Sequence, residues 1–137
     1  MSTIMRTLRN LRKIGFKEYA HQMQYIGDTK AGTYIASDKY GNKYYENLEQ
    51  ELPLRTRWVD YKQKEYDPAQ IEPGWHAWMS YMVDKPPTED AVLKTGQRKW
   101  EIPEHRPNLT MTRAAYKPYS TVKPKLHAWV PEAKPRS

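Results

Sequence analysis

Eight of the eleven prolines in this chain fall in residues 86–137. Proline has no N–H to give a helix or a sheet ladder, and its ring pushes the residue before it out of helical geometry. Long helices and central strands are therefore excluded from that stretch. Only the short "EDAVLK" at 89–94 has a helical look. The rest of 86–137 is expected to run extended, either disordered or laid along another surface.

What precedes the tail has little to build a core from. Leu, Ile, Val and Phe together make 20 of the 137 residues, below the roughly 20% at which independent folding of a charged chain becomes doubtful. The apolar quota is carried instead by 11 Tyr, 5 Trp and 6 Met. Tyrosine and tryptophan bury a large ring while keeping a polar end, so they suit half-wet contacts and interfaces. Such a chain gains little from self-burial against its ordering entropy, and is expected to take its final shape on a partner.

Charge is unevenly spread around the net +7. Residues 1–17 carry Arg6, Arg9, Arg12, Lys13 and Lys17 with no acid; residues 18–93 sum to −5 and residues 94–137 to +7. Two basic ends around an acidic middle point to an anionic partner: nucleic acid, a membrane surface or an acidic protein face. The absence of cysteine excludes disulfides, thiol chemistry and an iron–sulfur cluster held by this chain. No apolar run approaches the ~20 residues of a membrane span.

The first stretch, "MSTIMRTLRNLRKIGF", predicts an amphipathic helix within residues 1–24, with Ser2 or Thr3 as its cap. Ile4, Met5, Leu8 and Leu11 share one face, and Arg6, Arg9 and Lys13 lie opposite. This basic, acid-free face has the make-up of a mitochondrial import segment or a membrane-surface helix. An ordinary surface helix with a solvated basic face is the plainer reading, and all stay open. Residues 32–61 predict short strands, with "TYIAS" and "KYYEN" flanking "DKYG" and "RTRWVDY" following Pro53. Asp38 and Asn42 favour a turn, and Gly41 supplies the positive φ that a tight turn needs. Lys43 and Tyr45 point to one side of the second arm, Tyr44 and Glu46 to the other. That alternation argues against a nucleic-acid platform, whose stacking rings would share one face. Residues 67–83 predict a second helix, capped by Asp67 before Pro68, restarted at Pro73 and ended by Pro86-Pro87. Trp75, Trp78, Met79 and Met82 would form a stripe along it.

The residues offer no catalytic constellation. His21, His76, His105 and His127 stand apart from one another and from acids at metal-motif spacings, and zinc needs three or four convergent ligands. Glu72 and His76 are four apart, but Pro73-Gly74 interrupts them. Asp60 and Asp67 would make a carboxylate pair with nothing to shift their pKa values. The glycines are too scattered for a phosphate-binding loop. No enzyme, no cofactor and no metal are expected.

The blocks "SDKYGNKYYE", "RTRWVDY", "PGWHAWMSYMVDKPPT" and "RPNLTMTRAAYKPYSTVKPKLHAW" resemble, in the same order, one family. It is that of the small matrix-side accessory subunit of mitochondrial NADH:ubiquinone oxidoreductase, respiratory complex I, also called the differentiation-associated-protein subunit. The likeness spans about residues 32–129. It implies an elongated shape with a short helix, a few small strands and a long extended tail. With the N-terminal helix read from the residues, the chain is expected to be one elongated domain of irregular α+β class with little secondary structure, made of that helix, a small β-hairpin region, a short Trp-rich helix and the extended tail. The likeness also implies a peripheral, non-catalytic subunit without cofactor on the matrix side of the inner mitochondrial membrane, held by the hydrophilic arm. The alternative of a mitochondrial ribosomal or RNA-binding protein, favoured by the pI near 9.5 and the Lys/Tyr mixing, is opposed by the lack of a one-sided aromatic platform, so no nucleic acid is expected. Residue by residue, Tyr40, Tyr44, Tyr45, Arg57, Trp58, Trp75, Trp78, Tyr116, Tyr119 and Trp129 match docking positions of the family, and Gly41 and Asn42 its turn. A paralogue, the assembly factor mimitin, shares the hairpin and Trp-rich blocks but has no equivalent of "PNLT" or "PYSTVKPK". The tail here is similar to the subunit's.

Overall fold

The computed structural model describes residues 3–91, 99–100 and 102–135. Its elements in chain order are helices α1 (Ile4–Ile14) and α2 (Phe16–Tyr25), strands β1 (Thr33–Ser37), β2 (Lys43–Glu46) and β3 (Arg57–Asp60), a 3-10 turn (Pro68–Gln70) and helix α3 (Pro73–Met79). This is the irregular α+β architecture expected of the sequence. The turn expected at 89–94 falls largely outside the described residues.

The three strands form one antiparallel meander in the order β1–β2–β3. Tyr34 pairs with Tyr45 and Ala36 with Tyr44, so Ile35 sits at a bulge; on the other side Tyr44 opposes Val59 and Tyr45 opposes Trp58. A strand turns successive side chains to opposite faces, and here the two faces do different things. Tyr44 enters the core with Ile71, Trp75 and Trp78, against which Ile35, Ala36 and Val59 pack. Tyr34, Tyr45 and Trp58 make an aromatic row on the opposite side, with ring centroids 5.7 and 5.8 Å apart along it.

Local chemistry explains the segment that lays α3 on the sheet. Asp67 caps the 3-10 turn by accepting from the Ala69 N–H, with Pro68 in the first position. Pro73 opens α3, which places Trp75 and Trp78 inward. The helix does not reach residue 83. It stops at Ser80, and Tyr81 turns into the left-handed region at φ 59°. Met82 is consequently exposed rather than part of the Trp stripe.

The helical segment at the N-terminus is two helices broken at Gly15; Arg9, Arg12 and Lys13 keep a solvated basic face, but the side turned to the body is polar rather than apolar. Asn10 is the buried residue of α1, whereas Ile4, Met5 and Leu8 are exposed. Arg6, expected outside with Arg9 and Lys13, turns inward to pair with Asp28 at 3.1 Å and with Glu51. The reason is a polar seam. Asn10 donates to the Thr29 carbonyl at 2.8 Å; Gln22 of α2 accepts from the Lys30 N–H at 2.8 Å and donates to its carbonyl at 2.9 Å. The helices are fastened to the chain before β1 as an extra strand would be, by hydrogen bonds. Thr3 holds the N-cap position of α1 without a side-chain cap bond.

Where that chain enters β1, close packing demands a glycine. A Cβ on Gly32 would fall 2.2 Å from Cη2 of Trp58 and 2.9 Å from the Glu46 carbonyl oxygen. Gly32→Ala should therefore displace the Trp58 indole and cost about 1–3 kcal/mol, the usual range for overpacking. Thermal unfolding followed by Trp fluorescence checks this, and an unchanged midpoint would contradict the packing described.

Candidate functional site

The best-organised cluster of polar chemistry surrounds Arg57, the first residue of β3. Its side chain is nearly buried and pairs with Glu46 on β2 at 2.8 Å. The same guanidinium donates to the carbonyls of Trp78 at 2.7 Å, Val83 at 3.0 Å and Asp84 at 3.1 Å. It also lies over the Trp78 and Tyr81 rings, 4.6 and 4.8 Å from their centroids. The planar, five-donor fork of arginine suits this arrangement, which a point-charge ammonium cannot copy. Tyr81 closes the cluster: its hydroxyl receives the backbone N–H of Thr56 at 2.8 Å and of Arg57 at 3.1 Å. Arg57 thus stitches the end of α3 to the sheet.

A second cluster holds the hairpin loop. Asp38 Oδ1 accepts from the N–H groups of Tyr40 and Asn42, both at 2.9 Å, and Oδ2 accepts from the Asn42 amide at 2.8 Å and the Tyr44 hydroxyl at 3.0 Å. Gly41 stands at φ 91°, a conformation that costs glycine little and other residues more. Burial first, and the Asp38 carboxylate next, push the Tyr44 phenol well above its ordinary range. It stays a neutral donor.

These geometries sort the residues expected to meet a partner. Tyr44, Trp58, Trp75 and Trp78 are buried, at most 7% exposed, and with Arg57 they hold the chain's own interior together. Tyr45 is half-buried in the aromatic row. Tyr40 is partly exposed and its hydroxyl donates to the His105 carbonyl at 3.3 Å, while the His105 ring meets the Ala69 carbonyl. The tail is anchored at that point. Beyond it Asn108 makes a local turn with Thr110, and the described residues form no helix or strand. Tyr116, Tyr119 and Trp129 are 83%, 67% and 84% exposed. Arg9 and Lys13 are exposed on α1.

Sequence reasoning missed the polar seam, because Asn10 and Gln22 meet partners 19 and 8 residues away and carry no local signal. It missed Tyr81 because a left-handed tyrosine is not legible from its neighbours. It also missed the His21–Asp60 contact at 2.8 Å. Among the described residues no three His, Asp or Glu side chains gather as a metal site would require, and no helix is long and apolar enough to cross a membrane.

Both folded clusters and the start of the tail lie in a region that matches a known protein family. The model of the family described as NADH ubiquinone oxidoreductase subunit NDUFA12 covers residues 32–131. The chain belongs to the NDUFA12 family. A relative from Yarrowia lipolytica, NADH dehydrogenase [ubiquinone] 1 alpha subcomplex subunit N7BM, is 45% identical over 137 residues, spanning 99% of each chain. The subunit 12 proteins of Bos taurus and Dictyostelium discoideum are 36% and 37% identical; the matches span 88% and 86% of this chain and 86% and 83% of theirs. This is the family that the hairpin, Trp-rich and tail blocks resembled, one of accessory subunits of respiratory complex I.

Within this NDUFA12-family member, Arg57 should be irreplaceable by lysine. Arg57→Lys would leave at least one of its four carbonyl and carboxylate partners unsatisfied, since an ammonium has three donors, at about 1–3 kcal/mol for a buried group losing its bond. Limited proteolysis at 78–90 should accelerate several-fold. Protection equal to wild type would show that the guanidinium fork is dispensable.

Proposed function

We propose that this chain is a non-catalytic accessory subunit that docks on the matrix-facing hydrophilic arm of complex I, peripheral to the inner mitochondrial membrane. There it supports assembly or stability of the machinery that passes electrons from NADH to ubiquinone. The observation that carries the docking reading is the division of the aromatics. Tyr44, Trp58, Trp75 and Trp78 of the body are spent on its interior, while Tyr116, Tyr119 and Trp129 stand uncovered on a proline-stiffened tail. A pre-extended segment loses little entropy on binding, so rings along it add affinity without a core of their own. A subunit is favoured over an assembly factor by the tail itself, since the Yarrowia lipolytica relative aligns through it.

Interface energy concentrates in buried Tyr and Trp rather than in rim lysines. Tyr119→Ala or Trp129→Ala should therefore release the chain from complex I on a native gel, a loss of about 2 kcal/mol or more. Lys117→Ala should be nearly silent. Lys125→Ala should cost a little, because its ammonium lies 3.6 Å from the Tyr119 ring centroid. The opposite order, with association lost between roughly 50 and 200 mM salt, would indicate nucleic-acid binding by counterion release.

The outward face of α1 supports a membrane-surface contact. Ile4, Met5 and Leu8 are exposed beside Arg9, Arg12 and Lys13, also exposed and in no ion pair among the described residues. Apolar side chains rimmed by cations are what an interfacial helix presents to anionic headgroups. Since Arg6 and Asn10 are built into the body, α1 reads as an element of the fold. Leu8→Gln and Met5→Gln should leave folding intact and reduce binding to vesicles containing anionic phospholipid. Arg12→Gln should cost about 1 kcal/mol. Binding that is indifferent to all three would remove the membrane from the proposal.

A further inference from the structure

Between α2 and the sheet end of the 58–66 segment lies a cavity of about 270 Å³ that neither the core nor the tail uses. Five of the residues lining it are aromatic: Tyr25, Tyr45, Trp58, Tyr61 and Tyr66. They are organised in pairs. Tyr61 stacks on Tyr66 with centroids 5.4 Å apart and planes at 15°, Tyr45 stacks on Trp58 at 5.8 Å and 10°, and Tyr25 meets Tyr66 at 5.9 Å. The faces of such rings are electron-rich and attract cations.

Two carboxylates share the wall. Glu18 of α2 is half-buried and has no ion-pair or hydrogen-bond partner among the described residues. Asp60 is largely buried and gives one oxygen to His21 at 2.8 Å, while its other oxygen has no partner among the described residues. The one arginine at the wall cannot neutralise them, because Arg57 is committed to Glu46 and three backbone carbonyls. The negative field reaches the rings as well. Burial first, then the charges of Glu18 and Asp60, raise the Tyr45 phenol above its ordinary range. A hollow at the small end of ligand-binding cavities is sized for one side chain rather than for a cofactor. An apolar stem fits its Ile26, Val59 and Met79 lining, and a cationic head fits its rings and acids.

We infer that this cavity receives a lysine or arginine side chain from a neighbouring subunit of complex I, held by the aromatic rings and by Glu18 and Asp60. The inference rests on the docking reading above and adds the chemistry of one contact to it. It also assigns a purpose to the acid at 18, which has no counter-charge among the described residues.

The test uses the assembled complex. With Tyr66 replaced by p-benzoylphenylalanine, irradiation should capture a neighbouring subunit at or within two residues of a lysine or arginine. Glu18→Gln, which preserves shape, should raise the fraction of the subunit released by a salt wash at least fivefold. Tyr66→Leu should do the same, while Tyr66→Phe, which keeps the ring, should behave as wild type. Capture of lipid, capture of a segment without a cation, or no capture at all would overturn the inference. So would Glu18→Gln behaving as wild type while Tyr66→Leu weakens retention, which would indicate an uncharged apolar guest. Failure of the wild-type chain to co-migrate with complex I would instead defeat the docking reading itself.

Discussion

The Tyr44 ring lies flat against Trp75, with centroids 3.9 Å apart and planes within 3°, and meets Trp78 edge-on. It is fully buried, and its hydroxyl bonds to Asp38. The rest of the body depends on this one residue because it joins three things at once. Its backbone is the middle strand, its ring is the floor on which α3 sits, and its hydroxyl occupies the aspartate that organises the hairpin loop. A leucine there would fill space but take from Asp38 Oδ2 one of its two hydrogen bonds. With so few aliphatic residues, the chain builds its interior from side chains that close hydrogen-bond networks while burying area. The same economy recurs at Tyr81, which packs against Arg57 and also serves the backbone where β3 begins.

Much of this was legible wherever the cause was local. The loop at Asp38–Asn42 follows from an aspartate that can satisfy two N–H groups and a glycine that tolerates φ 91°. The Asp67 cap and the proline starts at 68 and 73 follow from capping chemistry alone. The extended tail follows from proline. What was not legible depended on long-range partners. The periodicity of α1 is real, but which face turns inward is decided by Asp28 and Glu51, 22 and 45 residues beyond Arg6. Hydrophobic pattern predicts an apolar face inside; the polar seam of Asn10, Gln22 and Arg6 takes that place because the chain at 28–31 offers unpaired backbone groups.

The candidate site was legible in its residue types and not in their division of labour. Composition marks Tyr and Trp as interface residues and the family resemblance names positions among them, yet neither separates rings that hold the fold from rings that stand free. Tyr44 and Tyr119 look alike in sequence. One is surrounded by Trp75, Trp78 and Asp38; the other, among the described residues, has Lys125 over its face. The difference comes from strand alternation in the first case and from proline-enforced extension in the second.

That division bears on how such a chain works inside a large assembly. A small body with an aromatic core and an arginine clamp offers a fixed reference, to which His105 ties the start of the tail through Ala69 and Tyr40. From there, residues 106–135 carry exposed rings and cations with no regular element to hold them. The anchoring at His105 sets where the tail leaves the body. The outward apolar residues of α1, the acidic aromatic cavity and the tail would then be three separate contacts of different chemistry. Partners joined through several modest contacts on one rigid body hold far more tightly than any single contact would, because each contact made raises the effective concentration for the next.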